Sequence, residues 1–209
     1  KFHVKLPIFV ARQWIRHRTA NVNEYSGRYS VMKDEFYVPE LAAIHFQSLR
    51  NKQGRAEGEV PAELREKVLG ILTSSQQQMY QEYEAMLESD IARELARINL
   101  PLSLYTEWYW KIDLHNLFHF LRLRIDRHAQ YEIRVYGEAM AEITKLVAPM
   151  AWEAFEDYML KSEKFSRLEL AVLGKHLDLS ALTLEYLESQ GLGKREAEEF
   201  LEKLGKLHP

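Results

Sequence analysis

At 209 residues the chain is long enough for one large domain or two small ones around a sizeable core. A hydrophobic content of 46% with 28% charged residues excludes a disordered tail or a fibrous repeat, and 28 Lys plus Arg against 31 Asp plus Glu argue against a general nucleic-acid coat protein. The absence of cysteine excludes disulfides, thiolate metal sites and Cys nucleophiles and fits a reducing cytoplasm, while no apolar run reaches the roughly 18 residues of a membrane span.

The chain opens without Met on the alternating stretch Phe2-His3-Val4-Lys5, which reads as entry into the middle of a strand and implies a segment before it. Pro7 suits the first turn of a helix with Phe9, Val10, Trp14 and Ile15 at apolar positions and Gln13, Arg16, His17 and Arg18 toward its end. Thr19 to Ser30, rich in Asn, Ser and Gly, predicts a loop passing into an edge strand near Tyr37, after which Pro39 opens a brief helix. Asn51 to Val60 predicts a surface loop. Pro61 and Glu63 begin the longest periodic segment, where Leu64, Val68, Ile71, Ser75, Met79, Tyr83 and Met86 recur as one helical face. Leu102 to Trp110 predicts a strand and Asp113 a helix cap. In the helix that follows, Leu114, Leu117, Phe118, Phe120, Leu121, Leu123 and Ile125 cover most of the circumference, which places it in a core or a subunit interface. A further helix runs from about Ala129 to Val147, and Pro149 permits a restart. Ser166 and Glu169 have capping-box spacing and open a small helical unit, in which Gly191 and Gly193 mark turns before a last charged helix.

Two stretches concentrate chemistry. From Gln13 to Ser30 the chain carries Arg16, His17, Arg18, Arg28, Glu24, Ser26 and Gly27. Guanidinium forks suit phosphates or paired carbonyls, and a glycine lets a backbone N–H approach an anion, so this is nucleotide chemistry, or else a basic helix end followed by a polar loop. From Asp113 to Glu132 the chain carries His115 and His119 four apart on one helical face, with Arg124 pointing nearly opposite. Two such histidines can bind a transition metal, but no Glu follows the first and Arg122 would repel a cation, so no metal is expected. Arg97 precedes Pro101, where a helix must end, and is favourable there without any ligand.

Arg16-His17-Arg18, seven residues and then Ser26, in the fuller form RHRTANVNEYSGRYS, resembles the RHR(x)7S signature of the flavin-dependent thymidylate synthases (ThyX). The resemblance continues through LPLSLYTEWYWKIDLHNLFHFLRLR and HAQYEIR and covers about Lys1 to Val147. It implies an α+β fold, rich in helix, with a small antiparallel sheet flanked by long helices, a catalytic domain over residues 1–164 and a dependent helical unit over 165–209. It also implies a cytoplasmic homotetramer with active sites shared between subunits, converting dUMP to dTMP with 5,10-methylenetetrahydrofolate as carbon donor and NADPH-reduced FAD as hydride donor. By position, the implied dUMP site is Gln13, Trp14, Ile15, Arg16, Glu24, Tyr25, Ser26, Gly27, Arg28, Arg97 and Arg124, with Arg28 and Arg97 suited to the phosphate. Arg124 is the implied activating residue, stabilising charge as pyrimidine N3 loses its proton. Ser26 binds rather than attacks, since no base sits at a spacing that would activate it. The implied FAD set is Arg16, His17, Arg18, Glu24, Asp113, Leu114, His115 and His119, where Asp113, His115 and His119 replace an Asn-x-Arg and a later Asn common in the family. The family's leading segment, before the FHVK-like stretch, is not in this chain. Small-molecule partners, no nucleic acid and no membrane follow. The alternative is an Arg-rich helical nucleic-acid-binding module, against which the net charge of −3 counts.

Overall fold

A computed structural model describes residues 1–49, 54–56, 58–179 and 181–205. Two compact units divide the chain, Lys1–Met159 and Leu160–Pro209.

The first unit is built on a three-stranded antiparallel sheet with β3 (Tyr105–Lys111) between β1 (Phe2–Pro7) and β2 (Asn21–Glu24). The register pairs Thr106 with Leu6 and sets Trp108 between Val4 and Glu24. Alternation along β3 sends Leu104, Thr106, Trp108 and Trp110 inward, all of them buried, while Tyr109 and Lys111 face out. Helix α1 (Ile8–Trp14) follows β1 directly after Pro7, whose fixed φ and missing N–H suit that junction. It drives Trp14 into the centre of the unit. That indole is fully buried and meets Trp108, Trp110, Phe120 and Tyr136 at ring-centroid distances of 5.8, 5.3, 4.7 and 5.9 Å. Each such aromatic pair adds about 0.5–1.5 kcal/mol beyond area burial, so this cluster fixes where α1 ends.

Helix α4 (Leu114–Arg124) is capped by Asp113, whose Oδ1 accepts from the Asn116 N–H at 2.9 Å. It buries Leu117, Phe120 and Leu121 against the sheet and α5 (Tyr131–Val147), while Leu114 and Leu123 remain more than a third exposed. Gly137 lets α5 approach closely: a Cβ there would lie 3.2 Å from the Cβ of Arg124 and 3.3 Å from its carbonyl carbon. Helix α6 (Pro149–Phe155) restarts at Pro149, and Phe155 stacks on Phe118 at 4.3 Å.

The long helix α2 (Ala62–Glu88) buries only part of the face that its apolar spacing predicts, at Tyr83 and beside it Met86. Gln76, Tyr80 and Tyr83 are buried, whereas Leu64 and Ile71 are 38% and 56% exposed, so the fully buried side chains lie in the C-terminal half. Tyr80 and Tyr83 join Met32, Ala96 and Leu104 in a second core. Both phenols grip the Met32 backbone: the N–H donates to Tyr83 at 3.0 Å and the carbonyl accepts from Tyr80 at 2.9 Å. After α2, Asp90 takes a positive φ of 56°, and α3 (Arg93–Ala96) passes into a 3-10 turn at Arg97–Asn99 that ends before Pro101.

Other boundaries shift too. The expected loop from Thr19 contains β2, because Asn21 to Glu24 find a free edge on β3. The edge strand expected near Tyr37 reduces to a single bridge, Phe36 with Leu104; Tyr37 adds one hydrogen bond to Ser103, and Pro39 has no N–H with which to continue a ladder. The helix expected at Pro39 is a 3-10 turn at Leu41–Ala43. The strand expected from Leu102 begins at Tyr105, since Leu104 closes a turn onto Pro101. Of the surface loop expected over 51–60, residues 51–53 and 57 lie outside the described residues, and Arg55 bridges Gln47.

In the second unit, α7 (Arg167–His176) starts with the expected capping box: Ser166 Oγ accepts from the Glu169 N–H while the Glu169 carboxylate accepts from the Ser166 N–H. Thr183 caps α8 (Leu184–Ser189), Gly191 turns with φ 98°, and α9 (Lys194–Gly205) follows Gly193.

Candidate active site

Five of the residues singled out in the sequence meet in one cavity of about 470 Å³: Glu24, Tyr25, Ser26, Gly27 and Arg97. The edge pairing of β2 delivers the first of them. Tyr25 extends the ladder by donating its N–H to the Glu107 carbonyl at 2.8 Å, and the chain then turns at Ser26, whose carbonyl accepts from the N–H groups of Tyr29 and Ser30. Gly27 is where this turn meets the opposite wall. A Cβ there would lie 2.7 Å from Met32 Sδ and 3.3 Å from Arg97 Cδ, so a larger residue would push on both side chains. The second core stands behind this wall, since Met32 and Leu104 belong to both.

Arg97 is exposed, and its side chain makes no hydrogen bond or ion pair with the described residues. Arg28 does not line the cavity but is tied to it through Glu94, which does: Nη2 of Arg28 lies 3.0 Å from Glu94 Oε2. Thr106, on the inward row of β3, also lines the cavity and donates to Glu24 Oε1 at 2.8 Å.

A second group forms where α1 ends. His17 closes the helix end by donating its N–H to the Trp14 carbonyl, and its ring packs on Phe120 at 4.9 Å and His119 at 6.1 Å. Its Nε2 accepts from Nε of Arg124 at 3.0 Å. Burial, then the charges of Arg124 and His119, lower the His17 pKa from 6.5 to about 4, so the ring is neutral at physiological pH. Burial also lowers the pKa of Arg124. Arg124 and His119 lie far apart around α4, as expected, and His17 from the end of α1 links them, while His115 takes no part in this group.

The remaining expected residues take varied places. Trp14 is fully buried, so its side chain serves the core rather than a ligand, while Ile15 is 39% exposed. The side-chain oxygen of Gln13 is buried without a hydrogen-bond partner among the described residues. Arg16, Arg18 and His115 are exposed and unpaired among those residues. Asp113 is committed locally, its pKa lowered by the hydrogen bond from the Asn116 backbone; the Asn116 side chain donates to Asp113 and accepts from Thr19 at 2.9 Å, tying the cap to the chain just after Arg18. Glu94, Met32 and Thr106 were not anticipated. Thr106 had a readable signal, as the single hydroxyl in the inward row Leu104, Thr106, Trp108, Trp110.

The fold and cavity define a helix-rich α+β domain with a polar, arginine-bearing cleft, and a UMP/dUMP methylase is among its solved neighbours. The UMP/dUMP methylase PolB from Streptomyces cacaoi, bound with 5-Br dUMP, superposes with a TM-score of 0.66 at 32% identity, covering 74% of this chain and 69% of that one. The family model described as thymidylate synthase complementing protein matches residues 1–150. The flavin-dependent thymidylate synthase of Treponema denticola is 55% identical over 97% of this chain and 73% of its own length, and that of Rickettsia conorii 52% identical over 98% and 73%. The chain belongs to the flavin-dependent thymidylate synthase family. The nucleic-acid-binding alternative finds no support in these comparisons.

Proposed function

We propose that the chain catalyses reductive methylation of dUMP to dTMP, with 5,10-methylenetetrahydrofolate as carbon donor, FAD as hydride carrier and NADPH as reductant. The observation that carries this reading is the cavity in which the Ser26–Gly27 turn faces an unpaired Arg97. A guanidinium side chain without a partner among the described residues, beside a glycine whose backbone N–H can approach an anion, suits a phosphate monoester. Arg97 and Arg28 hold that phosphate, with Arg28 released from Glu94; Glu24 and Ser26 contact the sugar, and Gln13, Tyr25 and the backbone about Ile15 complete the nucleotide site.

The unpaired Arg16 and Arg18 offer two guanidinium groups suited to a diphosphate, and His17, His119 and His115 offer ring and hydrogen-bonding surface, so the residues present fit FAD. Asp113 acts there through its cap, holding Leu114 and the start of α4. When bound, FAD supplies the hydride that completes the methyl group. Arg124, fixed by His17, stabilises negative charge on the pyrimidine as N3 loses its proton, which makes C5 more nucleophilic.

The activity is assigned to residues 1–164, with residues 165–209 as an accessory helical unit. Assembly as a homotetramer with shared sites is supported by apolar side chains left uncovered: Ile71 is 56% exposed, Leu146 84%, Val147 78% and Met150 84%. Among the described residues no helix is long and apolar enough to cross a membrane, and a cytoplasmic site of action is proposed.

The test follows dTMP formation from dUMP in full-length protein supplied with FAD, NADPH and methylenetetrahydrofolate, leaving out one component at a time. Turnover that needs all of them is expected. Turnover without flavin or folate, or none at all from a flavin-loaded tetramer, would sink the reading.

A further inference from the structure

Thr106 is 2% exposed, yet it lines the cavity together with Glu24. Among the described residues its only side-chain hydrogen bond is the one it donates to Glu24 Oε1, 2.8 Å away. The sheet makes this meeting possible. Glu24 stands opposite Trp108 at the end of β2, and Thr106 is the next inward residue along β3, pinned on its other side by pairing with Leu6. Glu24 itself is exposed and carries no other hydrogen bond to a described residue, so its Oε2 is left as an acceptor at the cavity wall.

A carboxylate on an exposed side chain samples many rotamers, and freezing it on binding costs side-chain entropy. A buried hydroxyl that occupies one oxygen removes most of that freedom before a ligand arrives. Such a hydrogen bond to an ionised acceptor is stronger than a neutral one. The remaining oxygen can only accept, so it selects a ligand group that donates. On dUMP the donors are the sugar hydroxyl and the uracil N3–H; with the N3 edge assigned to Arg124, the sugar hydroxyl is left for Glu24, whereas the phosphate is repelled.

The geometry points to Thr106 as a positioning residue: by holding Glu24 Oε1 it presents Oε2 to the sugar hydroxyl of the nucleotide. This rests on the reading of the cavity as a dUMP site. Thr106 does not touch the reacting atoms, so its loss acts on nucleotide binding and leaves the chemical step alone.

The test uses flavin-loaded full-length protein and measures dUMP affinity and steady-state kinetics for the parent, Thr106→Val, which keeps the shape, and Thr106→Ser, which keeps the hydroxyl. Val is expected to raise Kd and KM for dUMP by about tenfold, because Glu24 must then be ordered by the nucleotide itself, with kcat at saturating dUMP within about twofold. Ser is expected to stay close to the parent. With the dUMP analogue lacking the 3′-hydroxyl, parent and Val are expected to bind equally. Equal dUMP affinity in parent and Val, equal weakening in Val and Ser, or an unchanged Val-to-parent ratio with the analogue would each overturn the proposal. Should Val fail to fold, Thr106→Ala against Thr106→Ser makes the same comparison. A parent that does not bind dUMP at all marks failure of the cavity reading instead, before any variant is compared.

Discussion

Arg124 Nε donates to His17 Nε2 across 3.0 Å, which joins the end of α4 to the residue that follows α1. The bond runs from a permanent cation to a ring nitrogen, so Nε2 must be unprotonated and the neutral ring carries its proton on Nδ1. His17 therefore orients a guanidinium without neutralising it, leaving the other nitrogens of Arg124 free to act elsewhere with full charge.

The first prediction is a pH dependence. The folded value for His17 is about 4, below its ordinary 6.5, so the unfolded chain takes up the proton first. The stability this neutral ring contributes is complete above about pH 6.5 and is lost as pH falls through about 4. In urea denaturation, the advantage of the parent over His17→Gln should shrink between pH 7 and pH 4.5. NMR titration should show the His17 ring still neutral at pH 5.5; a midpoint near 6.5 would contradict the contact with Arg124.

A second prediction concerns Arg124→Lys. Lysine keeps the charge but loses both the planar fork and the Nε that His17 holds. Loss of a preorganised charged donor costs about a hundredfold or more in kcat, so turnover at saturating dUMP should fall by that order while dUMP affinity changes only a few-fold. Near-parental turnover would remove Arg124 from the chemistry, and weakened binding with normal turnover would make it a residue that only holds the nucleotide.

The third prediction is that Gly137→Ala disturbs Arg124 from the far side. The added Cβ would sit 3.2 Å from the Arg124 Cβ and 3.3 Å from its carbonyl carbon, atoms that cannot swing away as a side-chain tip can. Overpacking of this kind costs about 1–3 kcal/mol, and moving α5 outward also displaces the root of the arginine. Chemical denaturation should show the stability loss, and the His17 resonances should shift. Unchanged stability and spectra would mean that α4 and α5 have more room than this contact implies.

Much of this arrangement was legible in the sequence because it is local. The cap at Asp113 and the capping box at Ser166 depend on residues three apart, and the RHR(x)7S spacing places Ser26 and Gly27 in one turn. What escaped is non-local. The helical period includes Tyr83 but not Tyr80, which is drawn in by the Met32 backbone across about fifty residues of chain. Strand β2 exists because β3 has a free edge, and its own composition reads as loop. The helical wheel set Arg124 and His119 far apart, yet a third side chain from another element reaches both. Thr106 entered the site for a similar reason: its partner Glu24 lies 82 residues away in the chain.

The fourth prediction separates ligand binding from folding at Arg18. This side chain is exposed and unpaired among the described residues, just after the helix end that Trp14 and His17 secure. Replacing such a residue normally changes stability by no more than about 0.5 kcal/mol, whereas deleting a hydrogen bond between a charged group and a ligand costs roughly 1.5–3 kcal/mol. Arg18→Ala should therefore keep the flavin-free melting temperature of the parent and bind FAD about tenfold or more weakly, since 1.4 kcal/mol is a factor of ten. The weakening should also shrink as salt is raised, because an exposed guanidinium attracts a diphosphate through screened charge. Titration of the apoprotein with FAD at two ionic strengths, followed by flavin fluorescence, measures both effects. Parental FAD affinity would remove Arg18 from the flavin site, and a large drop in the flavin-free melting temperature would make it a residue of the fold.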